Sequence, residues 1–205
     1  MNCNDFIIKD SKDFVRDFET MYKQVEDQWG QEARGEEDTS FRLLVSALKN
    51  IYSGKRMVDI GCGPGHLSKA FKAQLNVESY IGCDVSKAAI IKASQLNPDV
   101  EFFELNIIEN SRDFKADLVT ALKTLYYCAP EIDVTINNIY EMLLPNGFLA
   151  YSYNIKDDSF TKKFLDIETL REKLVIRGFK RAFISDYYYI NEERIAIDIF
   201  QKTGQ

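Results

Sequence analysis

Apolar positions in the first fifty residues recur at helical spacing. Phe14, Phe18, Met21, Tyr22 and Val25 form one stripe, and Phe41, Leu44, Val45, Leu48, Ile51 and Tyr52 form a second. Such stripes predict two amphipathic helices. Asp38 or Thr39 suits the start of the second helix and Gly54 its stop. Between the helices runs a polar stretch from Gly30 to Asp38. From residue 55 the rhythm changes to short apolar runs alternating with helical patterns. Met57–Ile60, Tyr80–Cys83, Val100–Leu105, Leu118–Leu122 and Phe148–Tyr153 read as strands. Helices are expected from His66 to Leu75, from Lys87 to Leu96 behind a Ser86 cap, and through Ile132, Ile136, Ile139 and Leu143 up to Pro145-Asn146-Gly147. Strands alternating with helices imply right-handed crossovers and a mostly parallel sheet covered on both faces, an α/β architecture.

The last fifty residues differ. A helix carrying Phe164, Ile167, Leu170 and Leu174 stops at Gly178. Phe179–Ile190 and Arg194–Lys202 then read as an antiparallel hairpin hinged at Asn191-Glu192, closing one edge of the sheet. A single domain over 1–205 suffices, with 1–37 as a helical segment ahead of a core over 38–205. The length of 205 residues fits that reading.

Composition narrows the function. A 45% hydrophobic and 28% charged chain is ordinary for a globular domain. The net charge of -6, with no Lys/Arg cluster, argues against nucleic acid and anionic membrane surfaces as partners. No apolar run approaches the roughly 18–20 residues of a membrane span, and the N-terminus lacks the order of a signal peptide. Cys3, Cys62, Cys83 and Cys128 stand far apart beside a single His66, which makes a Cys/His metal site unpromising and favours a reducing, cytoplasmic setting. Adjacent acids Asp157-Asp158 have no convincing second acid, so no metal is expected.

The most informative stretch is Met57-Val58-Asp59-Ile60-Gly61-Cys62-Gly63-Pro64-Gly65-His66. Three glycines between a strand and a helix let the backbone turn tightly against a ligand, and the helix N-terminus behind them offers free N–H groups. His66 occupies the sixth position, where the dinucleotide fingerprint G-x-G-x-x-G needs glycine, and no Gly-Lys-Ser/Thr follows. S-adenosylmethionine is the remaining common occupant, and Asp59 suits its cationic amine. Asp84 ends the second strand about 20 residues past Gly61, the spacing of an acid that holds ribose hydroxyls. Asn106, at the next strand end, is placed for the adenine edge, with Val85 and Ile107 on its faces.

Val58-Asp59-Ile60-Gly61-Cys62-Gly63-Pro64-Gly65, with Asp84 and Leu144-Pro145-Asn146-Gly147 in order, resembles the class I S-adenosylmethionine-dependent methyltransferases. The resemblance implies a Rossmann-like, seven-stranded sheet in the order 3-2-1-4-5-7-6 with the last strand antiparallel. Asn106 stands where many members have Asp. Asn146 replaces a turn glycine, whose left-handed conformation asparagine tolerates. Met21-Tyr22 followed by Glu26-Asp27-Gln28-Trp29-Gly30 is also similar to the Tyr…Asp-Pro-Trp-Gly opening of nodulation-protein-S-like N-methyltransferases, which methylate an amino sugar. So is Asp117-Leu118-Val119 running on to Leu125-Tyr126-Tyr127, although Leu122-Lys123 stands where that family has Ser-Glu.

Methyl transfer at a sulfonium needs no metal and no covalent intermediate. Holding the acceptor about 3 Å from the methyl supplies most of the acceleration. Tyr126, Tyr127 and Lys123 are the candidate catalytic residues. The candidate cofactor-binding residues are Asp59, Gly61, Cys62, Gly63, Gly65, Asp84, Val85, Asn106, Ile107 and Leu122, with Tyr22 and Trp29 from an N-terminal helical lid. His66 and Arg42 are read as surface or packing residues. The expectation is methyl transfer to a small molecule such as a sugar amine, with S-adenosylhomocysteine as by-product. A small-molecule O-methyltransferase and a cofactor-binding protein that has lost transfer stay open beside it.

Overall fold

The computed structural model describes residues 6–9, 13–26, 28–155, 165–188 and 194–204. At the N-terminus, β1 (Ile8–Lys9) and β2 (Asp13–Phe14) pair antiparallel, and α1 (Phe18–Gln24) follows. The sequence stripe begins at Phe14, but the helix starts four residues later. Arg16 takes a left-handed φ of 54°, and Asp17 caps α1 by accepting from Thr20 N at 3.0 Å. A backbone break at Arg16 therefore assigns Phe14 to a strand. After α2 (Gln31–Arg34), Asp38 caps α3 (Thr39–Ile51) through Ser40 N and Phe41 N.

The alternating region then runs β3 (Arg56–Ile60), α4 (Ser68–Gln74), β4 (Ser79–Asp84), α5 (Lys87–Leu96), β5 (Glu101–Glu104), β6 (Ala116–Leu122), α6 (Ile132–Met142) and β7 (Leu143–Ile155). It closes with α7 (Ile167–Arg177), β8 (Phe179–Tyr188) and β9 (Arg194–Lys202). The sheet order is β5-β4-β3-β6-β7-β9-β8, with β9 antiparallel to both neighbours. Counted within this sheet, that is 3-2-1-4-5-7-6, as the resemblance implies. The predicted hinge Asn191-Glu192, Asp157-Asp158 and Phe164 lie outside the described residues.

Period two along each strand divides the core. Val58, Ile60, Val119, Ala121, Leu149 and Tyr151 face α6 and α7, whereas Met57, Leu118, Ala150, Ile197 and Ile199 face α3 and α4. Ser86 caps α5 through Ala89 N at 3.2 Å, and Gly178, at φ 112°, ends α7. The helix predicted from His66 begins only at Ser68, because the turn leaving the glycine loop runs through Leu67. The Pro145-Asn146-Gly147 turn lies within β7 where its register to β6 shifts, and Asn146 takes the left-handed φ of 64°.

Away from the glycine loop, one ionic group is buried between α7 and the sheet. Arg171 donates to both oxygens of Asp198 at 2.8 Å each, and Tyr151 OH donates to the same carboxylate at 2.7 Å. Asp186 and Glu168 accept further bonds from the guanidinium.

Candidate active site

Strand order reverses between β3, which pairs with β4 on one side, and β6 on the other. Ligands of open parallel sheets bind outside the carboxyl ends of strands at such a switch point. The glycine loop leaves β3 there. Gly61, Gly63 and Gly65 adopt φ of 71°, 53° and 75°, a region costly for other residues. Gly61 N and Cys62 N both donate to Cys83 O, at 2.7 and 3.0 Å, hooking the loop onto β4. A Cβ on Gly61 would lie 2.4 Å from Thr124 Oγ1, so the loop and the segment after β6 meet without space for a side chain.

Asp84 is the acid at the centre. Its two oxygens accept from Gly63 N and Ser86 N, each at 2.9 Å. Burial raises its carboxyl to about 6, against the lowering effect of those backbone bonds. Asp59, one strand over, is turned beneath the loop. It accepts from Thr120 Oγ1 at 2.6 Å and from Tyr80 OH at 2.9 Å, and burial raises it to about 6 as well.

A cavity of about 250 Å³ opens above these strand ends. Of the residues expected at the site, Gly61, Asp84, Val85, Asn106, Ile107 and Leu122 line it from the sheet. Lys123, Tyr126 and Tyr127 line it after β6, and Tyr22 and Trp29 from the N-terminal segment. Asp59, Cys62, Gly63 and Gly65 do not. Asp59 ties β3 to its neighbours beneath the loop, and Gly63 reaches the site through its N–H on Asp84. Gly65 packs against Asn97, whose Nδ2 donates to its carbonyl at 3.0 Å. Asn106 lines the cavity while bonding Glu109 at 2.9 Å. Arg42 pairs with Glu37 outside the lining, and His66 also lies outside it.

The N-terminal segment is clamped over this cavity. Glu19 Oε2 accepts from Ser86 Oγ at 2.7 Å and from Ala88 N at 2.9 Å, so α1 supplies an acid to the N-terminus of α5. The Ala88 N–H first, then Lys23 at 2.9 Å and Ser86, hold its carboxyl down to about 2. Lys92 Nζ reaches the Tyr22 carbonyl at 2.6 Å. Rings continue the contact: Phe18 and Trp29 lie 5.2 and 6.1 Å from Tyr127, which meets Tyr126 at 4.4 Å between centroids. Lys123, at a left-handed φ of 53°, donates to Asp38 at 2.9 Å.

Sequence reasoning missed Arg16, Phe18, Gln31, Ile60, Leu105, Ile108, Thr124 and Cys128 as cavity residues. Phe18 lay on the helical stripe and Cys128 just beyond the tyrosine pair, so position alone could have nominated both. Arg16 and Thr124 carry no local signal, because their places depend on long-range packing.

These residues fit S-adenosylmethionine. Among the described residues no cation pairs with Asp84, a buried acid that faces the cavity from the end of β4, as the resemblance implies for a ribose-binding acid. Apolar Val85 and Ile107 sit beside Asn106 for a purine, and the side-chain-free loop leaves room for the methionine portion.

Residues 58–149 match the family model described as a methyltransferase domain. Over 155 residues the chain is 29% identical to a trans-aconitate 2-methyltransferase of Klebsiella pneumoniae, covering 73% of this chain and 59% of that one. The chain thus spans little more than half the length of that relative. Among solved structures, the N-methyltransferase NodS of Bradyrhizobium japonicum, in complex with S-adenosylhomocysteine, superposes with a TM-score of 0.74 over 90% of this chain and 97% of that one, at 17% identity. The [4+2]-cyclase SpnF follows at 0.67 over 80% and 81%, at 18% identity, so the fold alone does not dictate the reaction. The glycine loop, the acid ending β4 and the sheet order occur here in one frame with the family-model match. Residues 58–149 are thus similar to a methyltransferase domain, and the sheet around them has the fold of the class I S-adenosylmethionine-dependent methyltransferases.

Proposed function

We propose that this protein transfers a methyl group from S-adenosylmethionine to a small-molecule acceptor held at the carboxyl end of β6. One observation carries the reading: Asp84, a buried carboxylate with no cationic partner among the described residues, shares a cavity with a glycine loop and a tyrosine pair. Asp84 accepts the ribose hydroxyl hydrogens while its backbone bonds hold the carboxylate in place. Asn106 meets the adenine edge between Val85 and Ile107. Asp59 acts through the loop, fixing β3 beneath it. When bound, the cofactor supplies an electrophilic methyl on sulfur.

The chain's own contribution is alignment and exclusion of water. Leu122, Lys123, Tyr126 and Tyr127 hold the acceptor, and the segment over 1–37 covers it through Tyr22 and Trp29. The finer reading, a sugar amine, rests on the Tyr22 to Gly30 opening and on the fold likeness to NodS. Among the described residues, Asp84 is the only carboxylate lining the cavity. An amine therefore arrives uncharged, with tyrosine oxygens as its partners.

Release of S-adenosylhomocysteine with a panel of amines, alcohols and acids tests transfer. Tyr127→Phe should lower turnover about tenfold or more while cofactor affinity holds. Cofactor binding with no transfer to any acceptor would leave a binding protein.

A further inference from the structure

The chain as a whole is acidic, with a net charge of -6. The acceptor side of its cavity is not. Among the described residues, the Asp, Glu, Lys and Arg side chains lining the cavity are Asp84, Arg16 and Lys123. Asp84 lies at the ribose end on β4. The two cations come from different parts of the chain, Arg16 from the turn before α1 and Lys123 from the end of β6, and line the same cavity as Tyr126 and Tyr127.

Both cations sit on costly backbone. Among the described residues, six other than glycine have positive φ, and three of those six line this cavity: Arg16 at 54°, Trp29 at 65° and Lys123 at 53°. Asparagine tolerates that region, whereas arginine, tryptophan and lysine are strained in it. Such strain persists only where surrounding contacts over-determine it, and it gathers at functional sites.

Carboxylates behind each cation hold it in place. Arg16 Nη2 meets Glu131 at 2.6 Å, and Lys123 Nζ meets Asp38 at 2.9 Å. Neither acid lines the cavity. Asp38 Oδ2 also accepts from Arg34 Nε at 3.2 Å, so this one carboxylate balances two cations. A guanidinium carries five N–H donors and an ammonium three, more than a single carboxylate engages.

We propose that the acceptor carries an acidic group, a carboxylate or a phosphate, and that Arg16 and Lys123 select it. The proposal rests on the methyl-transfer reading of this cavity and names the substrate class within it. Arg16 grips the acid, with its guanidinium geometry suited to two-point contact. Lys123 adds a second positive charge on the β6 side. The aromatic walls contributed by Phe18, Trp29 and Tyr127 hold the body of the molecule between them.

The test titrates matched pairs into protein loaded with S-adenosylhomocysteine, read by calorimetry and Trp29 emission. 4-hydroxybenzoate against 4-hydroxybenzamide is the carboxylate arm, and glucosamine 6-phosphate against glucosamine is the phosphate arm. In at least one arm the acid should bind about tenfold more tightly than its partner. Arg16→Gln and Lys123→Gln should each cut that preference by about threefold or more, and the double variant should abolish it. Arg16→Lys, which keeps the charge, should retain part of it. Affinity for S-adenosylhomocysteine, measured first, separates the two levels. Its loss in the wild-type protein would remove the methyl-transfer reading itself. Normal cofactor binding with equal affinity inside both pairs, with no binding of either acid, or with a preference that survives the double variant, would overturn the acid-bearing acceptor alone.

Discussion

Asp84 and Asp198 are both buried carboxylates on strands of one sheet, yet their surroundings are built on opposite principles. Asp198 has a guanidinium across both oxygens and a tyrosine hydroxyl besides. Among the described residues, Asp84 has two backbone N–H groups and no cation, and Asp59 nearby has two hydroxyls and no cation. Burial accordingly raises the carboxyls of Asp84 and Asp59 to about 6. Asp198 is neutralised inside the fold. Asp84 lines the cavity with no cationic partner among the described residues, which on the proposed reading leaves its carboxylate open to a ribose diol. Perturbed carboxyls of this kind gather at functional sites, and Asp59 shows that a structural acid can share the perturbation.

The largest expected effect lies at the structural acid. Arg171→Ala leaves Asp198 buried and uncompensated, which should cost about 3–5 kcal/mol. Urea denaturation would register it as a lower midpoint, and affinity for S-adenosylhomocysteine should scarcely move in the protein that remains folded. A loss below about 1 kcal/mol would break the contrast.

The uncompensated acids should act through pH. Between an ordinary carboxyl value near 3.8 and about 6, Asp59 binds more protons folded than unfolded. Its stabilisation is therefore full below about pH 4 and is lost as pH rises through 6. About two pK units correspond to about 3 kcal/mol for this one residue. Asp59→Asn should flatten that part of the stability curve from pH 4 to 7 relative to wild type, measured by thermal melting without ligand. Parallel curves for the two proteins would remove Asp59 from the account.

Legibility in the sequence divides along similar lines. The parallel α/β sheet was legible in short apolar runs alternating with helical stripes, whereas its strand order came only with the family resemblance. The Ser86 cap, the Asp84 position and the left-handed Asn146 followed from residue type and spacing. Each of those features is local. The break at Arg16 was hidden because arginine gives no hint of positive φ, and so Phe14 read as helix. Lys123 could be nominated for the acceptor side from its place after β6, but its partner Asp38 lies 85 residues away. Asp59 read as an amine ligand because its hydroxyl partners, Tyr80 and Thr120, come from neighbouring strands. Thr124 over Gly61 is the same kind of long-range fact.

The smallest effect belongs to the clamp. Glu19 joins α1 to the N-terminus of α5, where a negative charge is favourable by about 0.3–1 kcal/mol. Its carboxyl is held down to about 2, below its usual value, so its contribution is present at neutral pH and fades only as pH falls toward 2. Glu19→Gln should lower stability by no more than about 1 kcal/mol. It should also loosen the segment over the cavity, seen as a shift in Trp29 emission without ligand. An unchanged spectrum would make the Glu19 contacts incidental to closure.

The central claim, that Asp84 is left without a cation for the sake of a ligand, is tested most directly by calorimetry of S-adenosylhomocysteine binding to wild type and Asp84→Asn, alongside their ligand-free stabilities at neutral pH. The wild type should bind at about micromolar affinity. Asp84→Asn should bind roughly tenfold or more weakly, since a charged hydrogen-bond partner is worth about 1.5–3 kcal/mol. Its ligand-free stability should match or exceed that of wild type, because a buried charge has gone. Unchanged affinity, or a loss of affinity accompanied by an equal loss of stability, would contradict the account and make Asp84 one more structural acid.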